Sequence, residues 1–362
     1  MAVTGDFKHG HALLPDSLSG RSDLGAPGRV KAMLPGPVAV MGAGSVGCFV
    51  GGCLQAAGAE VFFVGRPRVL SGLREQGLEL TDLDGGHIQL PRHELKLFER
   101  APAASLVLLC VKSGATAQAA AELAQLMAPG TLVVSLQNGV ANADLAAQAA
   151  PGLAWLPGMV PFNIAELGPG RFHRGTGGTL AVQGHPALSP WLPLFAQAGL
   201  PLDVHADLRP VQWGKLLLNL NNPVNAMSGL PLKAQLLDRD CRVVLAALQT
   251  EALRALAAAG IQPTRLAAVS PLALPHLLRL PTWLFRRLAA RMLRIDEQAR
   301  SSMADDLDRG RPTEVDAFCG AVVRLAQAHG VAAPINQRVH DLLTVQRPVP
   351  LGGAALRQSL DL

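Results

Sequence analysis

The chain has 362 residues, 49% of the hydrophobic class and only 16% charged, which excludes a largely disordered polymer and leaves room for two domains with a sizeable core. Its formal charge of +5 comes from 32 Lys+Arg against 27 Asp+Glu. That excess is too modest and diffuse to argue for nucleic acid, and it suits an anionic cofactor or substrate. The five cysteines sit singly in apolar segments with no CxxC or Cys/His pair at metal-ligand spacing, so a disulfide framework and a metal centre are not expected; free thiols point to a reducing, cytoplasmic setting.

Residues 1–36 are rich in Gly, Pro, Ser and charge and lack the basic-then-apolar order of a secretory signal, so they read as a disordered leader. Pro37 to Met41 reads as a short buried strand, followed by Gly42-Ala43-Gly44-Ser45-Val46-Gly47 and a helical run ending near Ala57-Gly58. Glu60–Val64 is a second strand, which completes a βαβ unit. Ser105–Val111 and Thr131–Leu136 are further strands, with a helix over Thr116–Met127 between them. This alternation predicts a mostly parallel sheet covered on both faces.

The glycine motif follows a strand and opens a helix, the context in which GxGxxG signifies dinucleotide binding. Its first glycine permits the tight turn, its second admits a pyrophosphate, and its third lets helix pack on strand. Gly42, Ala43, Gly44, Ser45, Val46 and Gly47 are therefore candidate cofactor contacts. The second strand ends in Val64-Gly65-Arg66-Pro67-Arg68 and offers no carboxylate to ribose hydroxyls. A guanidinium there suits a 2′-phosphate, so NADPH is expected over NADH, with Arg66 the leading contact and Arg68 a second. The turns Cys110-Val111-Lys112-Ser113 and Ser135-Leu136-Gln137-Asn138-Gly139 end later strands, where Lys112 and Asn138 can line the same site. Either can equally be an ordinary surface lysine or turn residue.

From Val211 onward the chain reads as helices over 211–228, 238–259, roughly 283–309 and 313–329, with Gly260 and Gly330 as stops. The stretch Trp213-Gly214-Lys215-Leu216-Leu217-Leu218-Asn219-Leu220-Asn221-Asn222-Pro223 places Lys215, Asn219 and Asn222 at i, i+4 and i+7 on one face. A polar stripe among leucines suggests a pocket wall, and a lysine there can deliver a proton. Taken alone, the same stripe reads as surface with a snorkelling lysine. Segment 266–294 is apolar but interrupted by prolines and arginines, so it does not span a membrane. It reads as a lobe surface or lid, with a basic membrane-surface helix as the alternative. Further on, Thr313 can cap a helix with Asp316 three residues later, which puts Glu314 in its first turn. Residues after Val345 are Pro/Gly-rich and read as loose.

The pieces MGAGSVG, VGR, CVKS, SLQNGV, WGKLLLNLNN, SSMADDLDRGRPTEVDAFCG and AHGVAAPIN occur in this order between about residues 37 and 343. Together they resemble the ketopantoate reductases (2-dehydropantoate 2-reductases). The resemblance implies an oxidoreductase that makes (R)-pantoate for pantothenate and coenzyme A synthesis, with Lys215 as general acid and Glu314 on the substrate hydroxyl. It assigns Asn219, Ser302 and Asn138 to the substrate, with Lys112 lining the site. The family commonly has Asn-Pro with the asparagine eight residues after the lysine; here position 223 is Pro and Asn222 precedes it. Either the helix is one residue shorter or Asn222 substitutes, and Asn225 is a further candidate. Substrate identity is open at that point, with another branched 2-oxo acid as the rival and a non-catalytic NADPH sensor as a second one.

The expected architecture is an α/β, doubly wound Rossmann-like N-terminal domain (37–207) and an all-α C-terminal domain (208–346), with the leader before and a loose tail (347–362) after. Expected partners are a small 2-oxo acid and NADPH, with no nucleic acid, metal or membrane; the apolar helical half would suit a homodimer.

Overall fold

The computed structural model describes residues 35–290, 293, 296–345 and 350–362. All but the last two residues of the expected leader lie outside that set. The central strands are continuous apolar runs, as strands covered on both faces must be. These are β1 (Val38–Met41), β2 (Val61–Val64), and, further along the chain, Leu106–Leu109 and Leu132–Ser135, all fully buried.

Two hairpin strands, β3 (Leu78–Asp82) and β4 (His87–Leu90), follow β2, and the main sheet resumes with β5 (Lys96–Phe98), β6 (Leu106–Leu109), β7 (Leu132–Ser135) and β8 (Ala154–Met159). A second hairpin, β9 (Ile164–Gly168) and β10 (Arg171–Arg174), precedes β11 (Leu180–Gln183) and β12 (Leu202–His205). The eight-stranded sheet has the order β12-β11-β8-β7-β6-β1-β2-β5. Every neighbouring pair is parallel except β8 with β11. Chain direction across the sheet reverses between β1 and β6, so the crevice beyond their carboxyl ends is the topological switch point where such folds bind ligands.

Helices α1 (Ser45–Ala56), α2 (Pro67–Gln76), α3 (Thr116–Leu126), α4 (Asn142–Ala149) and α5 (Leu192–Gln197) serve this half. The sequence did not reveal its second sheet, β4-β3-β10-β9, which packs against α1. Those strands are short and carry mixed polarity, HIQL and RFHR among them, so their period is weak.

The C-terminal half is helical: α6 (Arg209–Asn219), α7 (Asn221–Ser228), α8 (Leu232–Leu237), α9 (Arg239–Ala258), α10 (Leu274–Arg279), α11 (Thr282–Leu288), α12 (Ser302–Asp308), a π turn at Asp316–Gly320, α13 (Ala321–Ala328), α14 (Pro334–Val345) and α15 (Gly353–Ser359). Its core gathers around α9, which buries Cys241, Val244, Leu245, Leu248, Ala252 and Leu256. Gly260 and Gly330 end helices in the left-handed region, as expected (φ 68° at both).

Four expectations are corrected. The helix over 211–228 is two helices that meet at Leu220, because Pro223 has no N–H for the Asn219 carbonyl and its ring crowds that oxygen. The helix over 283–309 is α11 and α12, and the described residues between them are turns and irregular chain; α12 starts afresh after Ser301, whose Oγ accepts from the Ala304 N–H. The 313–329 helix opens as a π turn, and Glu314 precedes it rather than occupying its first turn. The tail is not loose where it is described: α15 buries Leu356, Leu360 follows it into the core, and Arg357 pairs with Asp240 at 2.9 Å.

All five cysteines are free, four buried and Cys110 half-buried. Among the described residues no helix is long and apolar enough to cross a membrane, and no group of His, Cys, Asp or Glu could hold a metal ion.

Candidate functional site

The glycine loop between β1 and α1 is built for close approach. Gly42 adopts φ 114°, and a Cβ there would lie 2.6 Å from the Val111 nitrogen, inside the turn after β6. A Cβ on Gly47 would fall 2.1 Å from the Gly42 carbonyl oxygen, so helix and turn touch backbone to backbone. Gly44 faces open space, with nothing within 4 Å of where its Cβ would be. The first turn of α1 carries no acidic residue, and no side chain caps its N–H groups. The loop therefore leaves a free, positively polarised helix end beside an open cradle, which suits a pyrophosphate.

Arg66 sits just past β2 as the N-cap of α2, its carbonyl taken by the N–H groups of Val69 and Leu70. Its guanidinium and that of Arg68 are exposed and bond to no other described residue. These groups fit a dinucleotide with a ribose phosphate.

Glu314 reaches across from the helical half and is buried against the turns after β6 and β7. Its Oε1 accepts from the Ser113 N–H (3.2 Å) and the Ser113 hydroxyl (3.1 Å). Its Oε2 accepts from the Asn138 amide (3.2 Å) and lies 3.8 Å from the Lys112 ammonium. Lys112 makes its closer ion pair with Asp306, at 2.9 Å, and Asp306 also pairs with Arg311 at 3.0 Å. Asn142, on α4, donates to the Asn138 carbonyl at 2.6 Å, while Gln137 donates to the Val111 carbonyl at 2.9 Å. The strand-end turns are thus tied to each other as well as to Glu314.

Lys215 is not part of this hydrogen-bonded group. Its Nζ donates to the Pro161 carbonyl, just beyond β8, at 3.1 Å, and burial pushes its pKa below the ordinary lysine value. The structure brings Glu314, Asn138 and Lys112 together but shows no contact between Lys215 and Glu314. The Asn219 and Asn222 side chains bond to no other described residue, and the break at Leu220 sets them on different helices. Ser302 is exposed at the start of α12. Asn225 is fully buried; its Oδ1 accepts from the Ser301 N–H (2.9 Å) and its Nδ2 donates to the Leu230 carbonyl (2.8 Å), so it braces α12.

Sequence reasoning missed Ser113 and Asp306 as site residues. Each stands inside a quoted motif, but only the fold shows that Ser113 receives Glu314 and that Asp306 is buried between two cations.

Comparison with known proteins follows the same division. The family described as Ketopantoate reductase PanE/ApbA matches residues 38–186, and Ketopantoate reductase PanE/ApbA C terminal matches residues 207–347. A 2-dehydropantoate 2-reductase of Halobacterium salinarum is 30% identical over 314 residues, 84% of this chain and 97% of that protein. The chain belongs to the ketopantoate reductase family.

Among solved structures, a PanE/ApbA family ketopantoate reductase of Ralstonia eutropha JMP134 superposes with a TM-score of 0.72 at 27% identity, covering 90% of this chain and all of that one. A D-mandelate dehydrogenase with NADH and anilino(oxo)acetate shares the fold at a TM-score of 0.70 and 19% identity, again over 90% of this chain and all of that one. In this ketopantoate reductase family member, the stretch between the two matched segments holds α5 and β12, the outer edge of the sheet. Both matched segments contribute to the site: Ser113 and Asn138 come from the first, Asp306 and Glu314 from the second.

Proposed function

We propose that the chain reduces 2-dehydropantoate (ketopantoate) to (R)-pantoate with NADPH, in the cytoplasm, on the route to pantothenate and coenzyme A. The observation that carries this reading is Glu314, a helical-half carboxylate held by Ser113 and Asn138 at the strand ends beside a dinucleotide loop. Family membership supports an oxidoreductase of this type. Arg66, unpaired at the end of β2, supports NADPH over NADH.

Gly42 to Gly47 and the α1 N-terminus would hold the pyrophosphate, and Arg66 with Arg68 the 2′-phosphate. When bound there, the nicotinamide supplies hydride to C2 of the 2-oxo acid. Negative charge then grows on the C2 oxygen, and Lys215 stabilises it and gives up a proton. Burial favours that release, because it makes the ammonium a stronger acid. For this step Lys215 must leave the Pro161 carbonyl. Glu314, an acceptor on both oxygens, orients the lysine or the nascent hydroxyl. Ser302, Asn219, Asn222 and Asn138 are assigned to the carboxylate and the C4 hydroxyl.

A second reading, another branched 2-oxo acid, is favoured by one observation: the break at Leu220 puts Asn222 on a different helix from Lys215 and Asn219. NADPH oxidation with ketopantoate and a panel of branched and aromatic 2-oxo acids separates the two. The highest kcat/KM on ketopantoate supports the first reading, a higher value on another acid supports the second, and turnover with none of them contradicts both.

A further inference from the structure

Between Glu251 and Asp296 the sequence has seven arginines and no aspartate or glutamate. The rest of the chain carries 25 of the 32 basic residues against all 27 acidic ones, so the entire net positive charge resides in this one stretch. The same stretch holds the three most exposed large apolar side chains among the described residues, Leu272 (70% exposed), Trp283 (69%) and Leu288 (59%).

Leu272 precedes α10, whereas Trp283 and Leu288 stand on α11, where Trp283 points outward by construction. Phe285 and Ala289 are buried one turn apart and define the inner face. At about 100° per residue, Trp283 and Arg287 fall roughly opposite Phe285, with Arg286 beside them. Arg286 and Arg287 are exposed and form no hydrogen bond or ion pair with any described residue.

The mount beneath is firm. Arg242, fully buried on α9, donates to the Leu278 (3.0 Å) and Leu280 (2.9 Å) carbonyls and to the Thr282 hydroxyl (3.2 Å). Its guanidinium also covers the Phe285 ring, 4.3 Å from the centroid. Such a clamp ties the α10–α11 corner to α9 beneath the exposed indole.

We propose that this face docks on an anionic phospholipid surface. Trp283 enters the headgroup boundary, where indole rings are at home, with the exposed leucines at its margin, and Arg286 and Arg287 meet lipid phosphates. A nucleic acid would use the arginines but leave the leucines idle. A second copy seated face to face would set arginines against arginines. The proposal concerns adsorption to a surface, not a span, and it stands apart from the reading of the catalytic site.

The test is flotation of the full-length protein with vesicles of phosphatidylcholine alone and with added phosphatidylglycerol. Binding is expected only with phosphatidylglycerol, reduced by high salt. It should weaken at least about 10-fold in Arg286→Glu/Arg287→Glu and also in Trp283→Ala, with thermal stability unchanged. Absence of binding to the anionic vesicles overturns the proposal, as does binding equal in wild type and both variants. Retention on duplex DNA without vesicle binding would assign the face to nucleic acid instead. A wild-type dimer that the charge reversal makes monomeric, again without vesicle binding, would assign it to self-association.

Discussion

At the scale of single residues, Lys215 and Arg66 carry the account. The active form of a proton donor is the ammonium, which is present below its pKa and lost as pH rises through it. Burial lowers that pKa from the ordinary 10.5, so kcat should begin to fall at a lower pH than a solvated lysine would allow. In Lys215→Arg the guanidinium does not titrate, and the alkaline fall should vanish from the residual rate. An unchanged alkaline limb in that variant would assign the limb to another group. Arg66 is tested by cofactor preference. Its loss removes a charge-assisted contact worth about 1.5–3 kcal/mol, so Arg66→Ala should reduce the kcat/KM preference for NADPH over NADH by roughly 10- to 100-fold. A preference as strong as wild type would place the 2′-phosphate elsewhere.

At the scale of elements, Gly214 shows how the chain leading into the 266–294 segment bears on α6, the helix of Lys215. A Cβ at this position would lie 2.3 Å from the Thr264 carbonyl oxygen, and the Thr264 N–H donates to the Pro210 carbonyl at 2.8 Å. The chain entering that segment is therefore packed against α6 one residue before Lys215. Gly214→Ala should cost about 1–3 kcal/mol in urea unfolding and lower kcat by displacing Lys215. Wild-type stability together with wild-type kcat would show that the contact is loose.

The elements also show what could be read in advance. The strands β1, β2, β6 and β7 were legible because a buried parallel strand must be an unbroken apolar run, and the glycine loop because its spacing serves a backbone need. The break at Leu220 was harder to see: periodicity continues through Pro223, and only the missing N–H interrupts the ladder. The π turn after Glu314 carries Asp316, bonded to Arg324 at 2.7 Å and to His340 of α14 at 3.2 Å, and no local pattern in the sequence marks it. The tail helix was masked by its Pro/Gly composition, although Leu356 and Leu360 stand one turn apart, as a buried helical face requires.

At the scale of the whole molecule, the site exists only because two halves meet. Glu314 and Asp306 arrive from the helical half, Ser113, Asn138 and Lys112 from the strand ends, and the ion pair of Lys112 with Asp306 ties them together. Their types and order were legible from the motifs, whereas the pairing of Ser113 with Glu314 needed the fold. Lys215 is held outside this group, on the Pro161 carbonyl. The most direct measurement is therefore turnover of ketopantoate by wild type and Lys215→Ala, with NADPH affinity measured on both. The account predicts one (R)-pantoate per NADPH consumed by wild type, and in the variant a kcat lower by about 10²- to 10⁴-fold with NADPH affinity retained. Near wild-type kcat in Lys215→Ala would contradict it.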